Sequence, residues 1–430
     1  MVVTWRAAVL AAAGAVPLAL WPVPGTVLVW AVVTALVCAV DVAMAASPRR
    51  VAVERRVPPS VRLTEASTST LVLENLGRRT VRGVVRDAWV PSAGAHANRH
   101  RLDLPPGEAR RVVTRLEPVR RGDRHADRVT VRTLGPLRVA GRQASLDVPG
   151  RLRVLPEFAS RKHLPSRLAR LRELDGRAAV QVRGEGTEFD SLREYVVGDD
   201  VRSIDWRATA RRNDVVVRTW RPERDRRVLV VIDTGRTAAV RAGDGQRIDA
   251  SIEAALLLGA LAGRAGDRVG LLAFDRGARA RVAGASGSRL LPALAEATAG
   301  VDARLVETDW PGLAAAVTER LSQRALVVLL TAIDPAAAEA GLLRVVRGLA
   351  ARHTVVVAAV QDPEAAALEA ARATSSDVYD AAAAARAELE RDATAALLRR
   401  EGAEVVDALP DDLAPRLADE YLALKAAGRL

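Results

Sequence analysis

Cysteine is almost absent from this sequence of 430 residues, which contains only Cys38 and has five histidines. A single cysteine cannot form an internal disulfide, and it excludes zinc sites of four cysteines or of two cysteines and two histidines. The fold therefore does not rely on an oxidising compartment. The sequence also lacks a P-loop motif, so energy from ATP would have to come from a partner.

Aromatic residues are scarce, at 3%, whereas hydrophobic residues make up 49% of the chain. This fraction is ample for globular cores, and the length predicts two folded domains with accessory segments. The net charge is +12, but the arginines alternate with acidic residues along the chain and form no long basic tail. We therefore expect a membrane surface or a protein as partner, and no nucleic acid.

Two apolar runs open the chain, at about residues 7–23 and 26–46. The second run is long enough to cross a bilayer, whereas the first is barely so and contains Pro17, which should kink it. We predict a transmembrane helical hairpin within residues 1–50. The alternative is a signal peptide cleaved near Ala46, but the length of the second run argues against it.

The charged residues that flank the predicted hairpin lie next to its two ends and not in its turn. Arg6 precedes the first run, Arg49 and Arg50 follow the second, and the turn between the runs is uncharged. The positive-inside rule then places this protein in the cell membrane with both termini and the folded domains in the cytoplasm. An envelope component with its domains outside is the competing arrangement. Asp41, near the end of the second run, is expected to snorkel or to find a partner.

Residues 51–155 change to short alternating strands separated by turn signals. Strands are predicted at residues 70–74, 81–85, 111–114 and 128–131. This spacing is typical of an antiparallel β-sandwich of immunoglobulin-like type, here without an inter-sheet disulfide.

The most distinctive stretch, residues 183–212, lies in a predicted linker region at 156–226; we call it the signature segment. Its apolar, acidic and basic positions alternate in a fixed order: Glu188-Phe189, Leu192-Arg193, Tyr195, Gly198-Asp199-Asp200 and Asp205-Trp206-Arg207. The run resembles the signature of the domain-of-unknown-function 58 family, and the overall layout is similar to that family over nearly the whole chain. The resemblance implies a partner of the MoxR-type AAA+ ATPase class and a role in assembling or maturing protein complexes.

The signature segment admits three interpretations. Carboxylate–guanidinium pairs can clasp a loop-rich segment against a domain surface, with Tyr195 and Trp206 as buried anchors. The same residues can form a partner-recognition surface, because Trp and Arg are enriched in interface hot spots. A metal-assisted hydrolase built on Asp199, Asp200 and Asp205 is the alternative function. No histidine or cysteine supports a nucleophile–base pair there, so we expect no enzyme.

Residues 227–430 alternate apolar strands with Ala- and Leu-rich helices, which predicts a doubly wound α/β domain with a mostly parallel sheet. Predicted strands are 228–232, 269–274, 326–330, 355–360 and 404–406. Predicted helices are 248–264, 288–299, 310–323, 335–351, 380–400 and 413–426. In such a sheet, ligands bind beyond the carboxyl ends of the strands.

The end of the first of these strands resembles the metal-ion-dependent adhesion site of von Willebrand factor A domains. The resemblance implies Asp233, Thr237 and Thr308 as ligands of a degenerate site. Gly235 and Ala332 stand where a serine and an aspartate are expected, and neither side chain has an oxygen. Mg²⁺ requires near-octahedral oxygen coordination, so we expect no cofactor and an Asp233 that pairs with Arg236 or with backbone amides. The sequence thus predicts a membrane-anchored adaptor that presents a von Willebrand factor A-like domain to a protein partner.

Overall fold

The computed structural model describes residues 1–181, 188–197, 199–212, 214–221, 226–283, 285–371 and 373–430. The chain folds into two compact units, Met1–Glu157 and Phe158–Leu430. Each unit has its own hydrophobic core.

The first unit begins with helices rather than with the sandwich. After strand β1 (Val2–Val3) come helices α1 (Trp5–Ala12), α2 (Ala15–Leu20) and α3 (Pro24–Met44). In the part of the chain that the structure describes, one helix, within Pro24–Arg50, is long and apolar enough to cross a membrane.

The predicted first span, residues 7–23, is interrupted, in line with the kink expected at Pro17. The chain breaks between α1 and α2, because Pro17 has no N–H to bond the carbonyl oxygen of Ala13. The two pieces together cover Trp5–Leu20, which at 1.5 Å per residue is about 24 Å and short of a bilayer core of about 30 Å.

Ten strands follow in the first unit. They are β2 (Val51–Arg56), β3 (Ser60–Arg62), β4 (Ser67–Asn75), β5 (Val81–Trp89), β6 (Ala95–His96), β7 (Arg99–Leu104), β8 (Ala109–Leu116), β9 (Gly122–Leu134), β10 (Ala140–Asp147) and β11 (Arg151–Leu155). One sheet has the order β2-β4-β8-β6, and the other is built on β9, which pairs with β5, β10 and β11.

The two sheets share one core, as the predicted β-sandwich requires. Alternate residues of β4, including Leu71 and Leu73, point inward and meet Val85 of β5 and Val131 of β9. All four predicted strands lie within observed ones. The sequence pattern missed several others, because their apolar residues alternate with arginines over short stretches.

Asp41 joins the helical hairpin to the sandwich. Its side chain is 1% exposed, and its carboxylate accepts backbone N–H bonds from Leu137, Val139 and Ala140 at 2.8–2.9 Å. Gly135 leaves the space for this contact, since a Cβ there would lie 2.2 Å from an Asp41 carboxylate oxygen. The expectation that Asp41 finds a partner is met by backbone amides of the loop before β10.

The second unit contains ten α-helices and ten strands in its described part. They are α4 (Leu164–Gln181), β12 (Glu188–Glu194), α5 (Trp206–Arg212), β13 (Val216–Arg221), β14 (Arg227–Asp233), β15 (Arg241–Ala242), β16 (Gly245–Gln246), α6 (Arg247–Arg264), β17 (Arg268–Phe274), β18 (Ala278–Val282), α7 (Leu290–Ala299), α8 (Trp310–Arg320), β19 (Leu326–Leu330), α9 (Pro335–Ala337), α10 (Leu343–Ala350), β20 (Thr354–Val360), α11 (Pro363–Ala370), α12 (Ser375–Arg400), β21 (Ala403–Ala408) and α13 (Pro410–Ala426). A π-helical turn at Ala338–Leu342 joins α9 to α10.

A six-stranded sheet in the order β18-β17-β14-β19-β20-β21 forms the centre of this unit. All pairs are parallel except β17 with β18 at the edge. Strand β14 is buried on both faces: Val230 faces the core lined by α6 and α13, and Val231 faces the core lined by α8 and α10. Helices therefore cover both faces, as predicted for a doubly wound sheet.

The region between the sandwich and the sheet is partly integrated into this unit. Helix α4 packs on the core through Leu171, and its Arg167 and Arg170 both bind Asp419 of α13. The sequence pattern had assigned this stretch to a linker region.

Replacing Asp41 with Ala is expected to open the loop before β10. Two of the three backbone N–H groups that donate to Asp41 are buried. Leaving a buried N–H group unpaired lowers the free energy of unfolding by about 1–3 kcal/mol. Hydrogen–deuterium exchange of the full chain in detergent should show at least tenfold faster exchange at residues 137–140.

The matched control is Asp103→Ala, because Asp103 forms only an exposed pair with Arg82. Exchange at residues 137–140 should not change in this control. Unaltered protection in the Asp41 variant would show that the loop holds the hairpin without this carboxylate.

Candidate functional site

The signature segment is built around a two-stranded antiparallel sheet. Strands β12 and β13 pair from Glu188–Arg221 to Glu194–Val216, with a register shift near Phe189. Helix α5 and a short turn at Val201–Ser203 lie between them in the chain. Glu188 and Phe189 belong to β12 by their backbone, and Gly198 lies outside the described residues.

Asp199 fixes the turn that follows β12. It accepts two hydrogen bonds from the guanidinium of Arg193, at 2.7 and 2.5 Å, and one from the N–H of Val196 at 2.9 Å. The Arg193 hydrogen bonds and the Val196 amide hold the pKa of Asp199 below its usual value. This carboxylate is therefore ionised and satisfied within its own turn.

Asp205 starts helix α5. One of its oxygens accepts the N–H groups of Arg207 and Ala208, and the other accepts Arg218 of β13 at 2.9 Å. The Ala208 amide and then Arg218 lower its pKa. Asp200 accepts the N–H of Arg202 in the neighbouring turn. The helix and the strand are thus joined through one carboxylate.

The three carboxylates do not converge on one point for an ion. Each accepts backbone N–H groups of its own turn, and Asp199 and Asp205 each also bind an arginine. Within the described ranges, no group of three His, Cys, Asp or Glu residues is arranged to hold a metal.

Trp206 is exposed, so the expectation that it is a buried anchor is wrong. Its exposed fraction is 69%, and Val197 and Val201 are 95% and 62% exposed. Arg207 is also exposed, whereas Leu192, Arg193 and Tyr195 are partly buried. A cap at Asp205 turns Trp206 outward as the first residue of α5.

The second candidate site lies at the carboxyl end of β14. Asp233 is 4% exposed. Its Oδ1 accepts the hydroxyl of Thr308 at 2.5 Å and the N–H of Gly235 at 2.8 Å. Its Oδ2 accepts the hydroxyls of Thr331 at 2.7 Å and Thr237 at 3.5 Å. Burial raises the pKa of Asp233, and the hydrogen bonds oppose that rise.

Backbone pairing brings the chain segment with Thr308 over this end of β14. The N–H of Arg304 donates to Thr234 at 2.8 Å, and the N–H of Arg236 donates to Val306 at 2.9 Å. The predicted residues Asp233, Thr237 and Thr308 therefore do come together.

Two details differ from the sequence expectation. Thr331 was missed, although a hydroxyl directly after β19 must lie at the same edge as Asp233. Arg236 pairs with Glu307 instead of Asp233. Asp334 caps the next helix by accepting the N–H of Ala337 at 2.6 Å.

The residues around Asp233 do not fit Mg²⁺. Among the described residues that form hydrogen bonds there, Asp233 supplies the single charged oxygen ligand, and the three threonine hydroxyls donate directly to it. A Cβ at Gly235 would lie 2.3 Å from the Thr308 hydroxyl, so this hydroxyl occupies the space that a serine side chain would need. The adjacent cavity measures about 10 Å³, which is at the lower limit of the volume that a single water needs.

The protein family described as "Protein of unknown function DUF58" matches residues 191–405, which is half of the chain. This range includes most of the signature segment and the strands around Asp233. The chain belongs to the DUF58 family.

Similar proteins occur in mycobacteria. This DUF58 protein is 28% identical over 190 residues to the uncharacterized protein Rv1480 of Mycobacterium tuberculosis and to the uncharacterized protein Mb1516 of Mycobacterium bovis. The match covers 42% of this chain and 57% of each relative, so the chain spans little more than half of their length.

Solved structures give only distant likenesses. The CARDB domain of the PF1109 protein from Pyrococcus furiosus, in complex with di-metal ions, is 17% identical with a TM-score of 0.19 and covers 24% of this chain and 91% of that one. A β-glucosidase from Listeria innocua in complex with isofagomine is 12% identical with a TM-score of 0.18 and covers 24% of this chain and 16% of that one. At these scores we base neither fold nor function on them.

Replacing Asp233 with Asn is expected to stabilise the protein more at neutral pH than at acid pH. Because the folded-state pKa of Asp233 is raised, its contribution to stability is greatest below the unfolded-state pKa and is lost as the pH rises through the folded-state value. Asparagine keeps one acceptor and does not ionise. The melting temperature of the variant minus that of the parent, for the full chain in detergent, should increase from pH 4 to pH 7.

A difference that falls or changes sign over this range would contradict the prediction. It would show that the site stabilises the ionised carboxylate, which is the effect that a bound cation would have. Repeating the series with EDTA and with Mg²⁺ separates these cases, and we expect identical curves.

Proposed function

We propose that this DUF58 protein is a membrane-anchored adaptor that recruits a protein partner, a MoxR-type AAA+ ATPase, to the cytoplasmic face of the membrane. The resemblance of the signature segment to that of the DUF58 family implies the class of partner. The chain's own residues supply the reasons for an adaptor.

The proposal rests on the exposure of Trp206 at the start of α5, where hydrogen bonds hold the backbone. A tryptophan that is 69% exposed leaves apolar area in water, and such area is characteristic of binding sites. Asp205 joins the start of α5 to Arg218 of β13, so the backbone beneath Trp206 is held before a partner arrives. A pre-ordered anchor loses less entropy on binding.

The α/β unit supports a von Willebrand factor A-like assignment. Asp233 lies at the topological switch point, because the chain proceeds from β14 to β17 on one side and later places β19 on the other. Thr237 and Thr308 surround it as in the resemblance. We propose that this site acts without metal, as a structural tie between the loops.

The membrane location rests on α3 and on the charges that follow it. Arg49 and Arg50 are exposed directly after the apolar helix. Their position on that side supports cytoplasmic folded units.

Replacing Trp206 with Ala is expected to weaken binding of a purified MoxR-type AAA+ ATPase to the full chain in detergent by about thirtyfold, since hot-spot tryptophans contribute about 2 kcal/mol or more. Interferometry with and without ATP measures this affinity. The variant should keep the parent's melting temperature, because the side chain is mostly in water.

Leu305→Ala is the matched control, since Leu305 is 85% exposed and lies outside the signature segment. Its affinity should equal that of the parent. Absence of binding by the parent would refute the partner class, whereas parent-like binding by the Trp206 variant would refute the signature segment as the contact.

A further inference from the structure

Arginines gather at the end of the sandwich that adjoins the membrane helix α3. They come from the N-terminal segment, from the residues directly after α3, from the loop between β4 and β5, and from the loop before β10 and the start of that strand. We call this set the arginine collar: Arg6, Arg49, Arg50, Arg78, Arg79, Arg138 and Arg142. All of its members are exposed except Arg142, which is partly buried.

The collar is not neutralised by acidic residues of the first unit. In the part of the chain that the structure describes, no member of the collar forms an ion pair. Glu74 and Glu108 lie at the same end of the sandwich, but neither pairs with a collar arginine. Asp41 is buried and bound by backbone amides. The collar is therefore a patch of positive charge that is open to an external anion.

Hydrogen bonds fix the collar at the level where the apolar helix ends. Arg79 donates to the carbonyl oxygen of Ala43 at 2.7 Å, and Arg142 donates to that of Val42 at 3.0 Å. Both carbonyls belong to the last turn of α3, which ends at Met44. The guanidinium groups that make these bonds are thus held beside the end of the membrane helix.

Two loops of the sandwich each place an exposed leucine beside collar arginines. Leu76 is 63% exposed in the loop between β4 and β5, and Leu137 is 56% exposed in the loop between β9 and β10. The N–H of Leu76 donates to the carbonyl oxygen of Arg50, and the N–H of Leu137 donates to Asp41, both at 2.9 Å. Both loops are therefore tied to the base of α3 with their leucines in water.

The loop of Leu137 reaches past the end of the apolar helix. Asp41, to which it is bound, lies three residues before Met44, which is about 4.5 Å along the helix axis. At the same level, Trp5 is 72% exposed and the Arg6 guanidinium lies 6.0 Å from the centre of its ring. Exposed tryptophan is typical of membrane–water interfaces. When α3 crosses a bilayer, this end of the sandwich faces the headgroup layer.

Arg138 is not explained by contacts within the chain. Its φ of 58° lies in the left-handed region that favours glycine. Its carbonyl oxygen accepts the hydroxyl of Thr4 at 2.7 Å, a contact that any residue at this position could make. The guanidinium forms no hydrogen bond with a described residue, so it is available to a ligand outside the chain.

We propose that the arginine collar binds the phosphate groups of anionic phospholipids while Leu76 and Leu137 enter the headgroup layer. A lipid is the occupant because the collar is held at the end of the membrane helix, where basic residues attract anionic headgroups. Guanidinium groups suit phosphate, since they donate two parallel hydrogen bonds to it. The inference rests on the membrane anchoring proposed above and is independent of the ATPase.

Native mass spectrometry of the full chain in detergent measures the binding. The parent should bind phosphatidylglycerol at least tenfold more tightly than phosphatidylcholine with the same acyl chains. Arg78→Gln combined with Arg138→Gln should weaken phosphatidylglycerol binding at least fivefold and leave phosphatidylcholine binding unchanged, because an anionic surface attracts each nearby arginine. The melting temperature should stay that of the parent, since neither guanidinium has an internal contact. Equal affinity of the parent for the two lipids would overturn the proposal.

Two control variants separate the collar from net charge. Arg86→Gln combined with Arg99→Gln removes the same charge at the far end of β5 and β7, where these exposed residues face each other, and should not change lipid binding. Arg78→Lys combined with Arg138→Lys keeps the charge and should retain affinity within threefold. A loss in the far-end variant as large as that in the collar variant would refute the collar as the site.

The apolar part of the contact is tested with Leu76→Gln combined with Leu137→Gln. Hydrogen–deuterium exchange of the parent in nanodiscs should be at least threefold slower at residues 76–79 and 137–139 with phosphatidylglycerol than with phosphatidylcholine. Residues 96–98, at the opposite end of the sandwich, should exchange equally in both. The leucine variant should lose most of this difference, and an undiminished difference would refute insertion of the loops.

Incorporation into nanodiscs tests the anchoring separately. A chain that stays outside nanodiscs would refute the anchoring and this proposal with it. A chain that inserts without preferring phosphatidylglycerol would refute the collar alone. Displacement of phosphatidylglycerol by an equal concentration of sn-glycerol 3-phosphate would identify a soluble anion as the ligand and overturn the assignment to a lipid.

Discussion

A buried carboxyl group at the end of β14 organises the functional edge of the α/β unit. Asp233 accepts bonds from three threonine hydroxyls and one backbone amide, which come from three separate segments of chain. Each of these donors is at a strand end or in a loop next to one. Burial raises the free energy of the ionised carboxylate, and the converging donors offset that cost. The edge is therefore held together by polar contacts that resemble a metal site in position but work by hydrogen bonding.

Carboxylates have a similar role in the signature segment, where Asp199 and Asp205 bind nearby arginines and backbone amides. Alternation of acids and arginines in the sequence can indicate a catalytic cluster or a set of braces. The geometry favours braces, since each of the two carboxylates binds one arginine and backbone amides of its own turn. The apolar residues between the braces, Val197 and Trp206, are left facing water. Local rigidity and surface exposure are thus produced by the same short stretch.

The central sheet could be predicted from the sequence because strands buried on both faces are continuous apolar runs, as in Val228–Ile232. Edge strand β18 could not, because its arginines alternate with alanines and one face is open. Asp233, Thr237 and Thr308 were found through the resemblance to the adhesion site of von Willebrand factor A domains. Thr331 was missed because the comparison with a metal site directed attention to Ala332. The sequence could not decide between a buried and an exposed Trp206, since a clasp and a partner-recognition surface both suit tryptophan and its orientation depends on the Asp205 cap.

Asp41 gives the N-terminal helices a mechanical property. Its carboxylate holds the loop before β10, while β1 pairs with β10 and Arg142 donates to the carbonyl oxygen of Val42 at 3.0 Å. Asp41 and Val42 are consecutive residues near the end of α3, so this end of the helix is fixed to the sandwich at more than one point. A flexible tether transmits only position, whereas a joint of this kind also transmits rotation. Any rotation of α3 about its long axis would therefore rotate the sandwich as well.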